Sequence, residues 1–153
     1  MNKCKRSQRL ASVIKLALHD ENEAAKKLES ALNRIDKQER HLVGLLQYQN
    51  EYLQRHIEFV QREKSIGRLR SYKGFLDNLA LAILRQREVI IQAQNSYANL
   101  RAEWLEKRSR RRSLAKVSEQ HEREEDTDRQ RAVQRTQDER SGRQRSPGNK
   151  SRS

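Results

Sequence analysis

The sequence predicts an all-α fold, an antiparallel two-helix coiled-coil hairpin with a disordered basic C-terminal tail. Three observations point there: a low apolar content, two stretches of sustained heptad spacing, and one weak break between them. Of 153 residues only 33% are hydrophobic and 36% are charged, with one Pro and five Gly. So little apolar area cannot enclose a compact core against chain entropy. Paired helices need to bury only a narrow seam, and this composition suits them.

The first helix is predicted over about 10–62. Steps of four and three from Leu10 reach Ile14, Ala17, Glu21, Ala24, Leu28, Ala31, Ile35, Gln38, Leu42, Leu45, Gln49, Tyr52, His56 and Phe59. Most are apolar and the alternation persists for seven heptads, which is a coiled-coil pattern. One position further round, Leu18, Ala25, Leu32, Leu46, Leu53 and Val60 recur, so the stripe is wider than one seam and part of it can face a partner.

The second helix is predicted over about 70–125. Its seam begins at Leu69 and passes through Tyr72, Leu76, Leu79, Ile83, Gln86, Ile90, Ala93, Tyr97, Leu100 and Trp104 to Lys107, Arg111 and Leu114. Phe75, Ala82 and Val89 flank it. Between the helices lies a turn at about 63–69, where Ser65 can cap a helix start and Gly67 relaxes the backbone. Two similar arms around one break predict a hairpin, most simply a monomer. The competing topology is one continuous helix in a parallel dimer. Residues 1–9 are expected to be flexible. Residues 126–153 are expected to be fraying helix and then, from about Arg140, a disordered Arg/Ser-rich tail.

The net charge of +13 is uneven: residues 1–62 contribute +4, residues 63–106 contribute +2 and residues 107–153 contribute +7. Such an end attracts nucleic acid, anionic lipid or acidic protein, and charge alone does not rank these. The single cysteine, Cys4, allows no intrachain disulfide and suggests a reducing compartment. The basic head and apolar stretch at the start mimic a signal peptide, but Lys15 interrupts the stretch, and it reads as an amphipathic helix. No run of 18 apolar residues occurs, so no spanning helix is expected.

Catalytic chemistry is not expected. There is no phosphate-binding glycine loop, and His19, His41, His56 and His121 stand at no metal-ligand spacing. No catalytic residue, metal or cofactor is assigned. The cluster Lys107–Arg112 raises nucleic-acid binding, but a zipper-type reader places its basic region before the heptads, and no aromatics are interleaved for base stacking.

Three stretches, in order, resemble the FliJ family of flagellar export proteins. The first is YQNEY, comprising Tyr48, Gln49, Asn50, Glu51 and Tyr52. The second follows the predicted turn and comprises Tyr72, Phe75, Leu76, Leu79, Ala82 and Ile83. The third is Trp104 followed by a Lys/Arg-rich helix. The resemblance covers roughly residues 10–125. It implies a non-enzymatic coiled coil of the flagellar type III export apparatus, acting as a stalk-like cofactor and chaperone. It implies binding and stimulation of the hexameric export ATPase, contact with the cytoplasmic domain of the membrane export gate, and contact with export chaperones. The location implied is cytoplasmic, peripheral to the inner membrane at the flagellar base. Phe75, Leu79, Ala82 and Gln86 are the gate-facing residues by motif match, and their spacing puts them on one helical face; Leu79 and Gln86 also lie on the seam walk. Stalk proteins of virulence secretion systems share the architecture. A basic nucleic-acid-associated coiled coil is the alternative class. The Arg/Ser tail lies outside the family pattern.

Overall fold

A computed structural model describes residues 6–62 and 65–145. Among these, the chain forms two helices, α1 (Arg6–Arg62, 57 residues) and α2 (Ile66–Gln144, 79 residues), packed against each other with no strand. This is the predicted antiparallel hairpin. Neither helix contains a proline, so neither is interrupted by a missing backbone donor. Leu, Ala, Glu, Gln, Lys and Arg dominate both, and all are favourable helix formers. Exposed pairs at helical spacing, such as Glu23–Lys26 (3.3 Å) and Glu119–Arg123 (2.9 Å), add a few tenths of a kcal/mol each, about 0.3.

Helix limits differ from the expected ones. The first begins at Arg6, within the stretch expected to be flexible, and α2 begins at Ile66 rather than about 70. Ser65 stands directly before α2, in the capping position expected of it, and its carbonyl accepts the Leu69 N–H at 3.2 Å. The larger difference is at the other end. Residues 126–144 are helical, where fraying and then disorder were expected. Heptad spacing reports where a seam stops, not where a helix stops. The Arg-, Gln- and Glu-rich sequence after Glu125 keeps helical preference without burying anything, aided by the Asp126–Arg129 pair and by the Thr136 hydroxyl donating to the Ala132 carbonyl. The rest of the expected tail, residues 146–153, lies outside the described residues, as do residues 1–5.

The chain divides into two compact units. One comprises residues 20–107, the other residues 1–19 with 108–153. In the 20–107 unit the core is Leu79, Ile83, Ile90 and Ala93, each no more than 8% exposed, and Gln86 is buried among them. In the 1–19/108–153 unit the buried residues are Ala17 and Ser118. Every described position on the two predicted seams is buried or half-buried, from Leu10 to Phe59 and from Leu69 to Leu114. By contrast, Leu32, Leu53 and Val60 on the flanking row of α1 are exposed.

Candidate interaction site

Five of the seven aromatic side chains, Tyr48, Tyr52, Phe59, Tyr72 and Phe75, gather with His56 where α1 ends and α2 begins. The seam places Tyr52, His56 and Phe59 on α1 opposite Tyr72 on α2. Tyr72 stacks against His56 (4.7 Å between ring centres, 9° between planes) and against Phe59 (5.5 Å, 18°). Its hydroxyl donates to the Tyr52 carbonyl, a contact across the hairpin. The His56 Nδ1 atom is buried with no hydrogen-bond partner. Stacked rings fill the space that aliphatic pairs would leave, and each such pair adds about 1 kcal/mol beyond burial.

Two rings stand at the edge of this cluster. Tyr48 is 45% exposed, and its hydroxyl donates to the Tyr52 hydroxyl at 3.2 Å. That bond, together with the neighbouring phenol's charge when ionised, holds the Tyr48 phenol above its usual range. Phe75 is 40% exposed, yet its ring touches Tyr52 (4.7 Å) and meets Tyr48 edge-on (6.4 Å). It is therefore a surface residue seated on an aromatic base.

The structure separates the four residues that the motif match put on one face. Leu79 and Gln86 are buried in the seam at 8% exposure each, Ala82 is half-buried, and Phe75 alone is well exposed. Gln86 donates through Nε2 to the Gln38 carbonyl (3.0 Å) and to its side-chain Oε1 (2.8 Å). This pair satisfies the buried Gln86 amide nitrogen and couples it to half-buried Gln38 on α1. Of the YQNEY stretch, Gln49 and Tyr52 are half-buried and Tyr48, Asn50 and Glu51 are exposed; Tyr72 and Trp104 are half-buried.

Sequence reasoning did not pair Gln38 with Gln86, although each lay on its own seam walk. Two polar seam positions in facing helices were the available signal. It also missed Ser7, whose hydroxyl donates to a Glu125 carboxylate oxygen at 2.8 Å and whose N–H donates to the other at 3.3 Å. Further along the 20–107 unit, an open groove of about 470 Å³ lies where Ala31 meets Ala93, bordered by Lys27, Arg34 and Ser96. Two small seam residues leave that space.

Among the described residues no cluster of His, Cys, Asp or Glu could hold a metal, and no helix is long and apolar enough to cross a membrane. What the chain offers is surface: an aromatic patch, a grooved seam and exposed apolar rows. The family model for the flagellar FliJ protein matches residues 6–150, nearly the whole chain. The chain belongs to the FliJ family. It is thus a flagellar type III export-associated coiled-coil protein, of a family that is a non-enzymatic export component. The family match also extends through the helical residues after 125, which the sequence resemblance did not cover. No curated protein and no solved structure matches the chain significantly.

Proposed function

We propose that this protein is a stalk-like cofactor and chaperone that binds and stimulates the export ATPase and couples it to the cytoplasmic domain of the membrane export gate. It works at the cytoplasmic face of the inner membrane and also meets export chaperones. Family membership supports the export role, and the aromatic patch supports a specific contact. The observation that carries the reading is Phe75, a large apolar ring left 40% exposed while Tyr48 and Tyr52 hold it in place. An ordered exposed aromatic costs little conformational entropy on binding, which is why such residues serve as anchors. Ala82, two turns on, gives a flat neighbour against which a partner can close. Leu79 and Gln86 act from beneath, by fixing the helix that presents Phe75.

The test has two parts. Mixed with the export ATPase, the chain is expected to co-elute and raise hydrolysis. Retention on nucleic acid in moderate salt, with no effect on the ATPase, would point to the basic nucleic-acid coil instead. Phe75→Ala is expected to weaken gate binding by about 2 kcal/mol, the size of an interface anchor, while helicity and melting stay close to wild type. A large loss of helicity would show Phe75 to be a core residue and remove it from the contact.

A further inference from the structure

The side of the 20–107 unit away from Phe75 carries a second seam. Tyr48 meets Phe75, and Lys27, Arg34 and Ser96 border one groove, so these residues of α1 and α2 share one side of their common seam. Side chains seven apart line up along a helix. The rows on the opposite flank therefore share the other side. There, Val43, Leu46, Asn50, Leu53, Ile57 and Val60 of α1 follow alternating steps of three and four, and five of the six are apolar. Leu46 is half-buried, but Val43 (53%), Leu53 (44%), Ile57 (62%) and Val60 (47%) stand in solvent. An ordinary exposed face does not keep a heptad over 18 residues, roughly 27 Å of helix. This α1 segment has the pattern of a helix lying between two neighbours, and α2 is only one of them.

The borders of this seam indicate what the other neighbour carries. On the side of α2 run Lys73, Ala80 and Arg87, seven apart, with no acid among them. Among the described residues neither Lys73 nor Arg87 pairs with a carboxylate. The half-buried Ala80 allows a close approach between the two cations. The outer border is Gln47, Gln54 and Gln61, which is uncharged. One border is thus cationic and the other neutral.

We propose that this side docks an amphipathic helix of a partner protein, with an apolar heptad seam, a polar residue to meet Asn50, and Asp or Glu along the flank that faces α2. A polar group in an otherwise apolar seam fixes register, since only one alignment satisfies it. A second copy of this chain fits poorly, because a net charge of +13 meets itself. A lipid surface fits poorly too, because interfacial helices carry cations along their polar face, and here the outer border is glutamine with Glu51 and Glu58 behind it. The surface is independent of Phe75, so gate binding and this docking can fail separately.

The experiment uses the full chain and a labelled three-heptad synthetic peptide with a Leu seam, one Asn and a Glu flank, beside a twin with Lys in place of Glu. Anisotropy is expected to show saturable binding of the Glu peptide and much weaker binding of the Lys twin. Leu53→Asp and Arg87→Glu should each weaken the Glu peptide at least about tenfold, and Arg87→Glu should narrow the gap to the twin. Phe75→Asp should change nothing. Circular dichroism checks that the variants keep their helicity, as substitutions at exposed positions should. The proposal is overturned by equal binding of the twins, by no saturable binding, or by an equal loss with Phe75→Asp. It is overturned equally if phosphatidylglycerol vesicles bind through Leu53 while the peptide does not. Sedimentation showing a dimer that Leu53→Asp abolishes would assign the seam to a second copy.

Discussion

The two units of this chain are made of the same two helices, yet they are held by different chemistry. In the 20–107 unit, Leu79, Ile83, Ile90 and Ala93 form a dry seam, closed by a glutamine pair and by stacked aromatics. In the 1–19/108–153 unit the seam is mixed, with Leu10, Ile14 and Leu114 beside polar positions. It buries Ala17 and Ser118, carries Lys107's successor Arg111 half-buried, and is joined by the Ser7–Glu125 hydrogen bonds. Apolar burial contributes about 25 cal/mol per Å², whereas a net hydrogen bond contributes about 1 kcal/mol only while both partners stay ordered. The contrast teaches that heptad continuity does not mean uniform stability. The mixed unit is expected to open first, and a region that opens at low cost is free to reorganise on a partner.

Substitutions can break or sharpen this contrast. The largest effect is expected for Ile83→Ala, at 5% exposure in the dry seam: about 3 kcal/mol lost in urea unfolding followed by circular dichroism. A loss under about 0.5 kcal/mol, the range of surface substitutions, would show that this seam is not the main source of stability. Next, Gln86→Ala should cost about 1 kcal/mol, because it removes a buried amide and leaves the half-buried Gln38 side-chain oxygen without its donor. Ser7→Ala should cost about 1 kcal/mol, and its effect should appear as faster hydrogen exchange confined to residues 6–19 and 108–125. Protection lost equally in the 20–107 unit would mean that the two units open together.

The smallest effect is spectroscopic. The Tyr48 phenol titrates above its usual range because it donates to Tyr52 and would share space with a second phenolate. Tyr52→Phe removes both causes, so Tyr48 should ionise at lower pH in an ultraviolet titration, with no change in helicity at neutral pH. An unchanged titration would show that the two hydroxyls do not interact in solution.

Most of the fold was legible in the sequence, for a local reason. A helix satisfies its backbone hydrogen bonds within itself, so the periodic placement of Leu, Ile and Ala already states which face must find cover. That is why positions as unlike as Ala31, Gln49 and Arg111 could be placed on the seams by counting. The candidate site was legible only in part. Counting put Phe75, Leu79, Ala82 and Gln86 on one face, but a face of a helix is wider than a seam. Which of them reach solvent depends on how α2 is rotated against α1.

By itself, then, the sequence determined that two helices pair and which face of each lies in the seam, because both follow from spacing along one chain. The tertiary structure decided that Gln38 answers Gln86 and that Tyr48 and Tyr52 hold Phe75 outward. These are relations between residues far apart in the chain. They arise from the alignment and rotation of one helix on the other, which no single helix's periodicity contains.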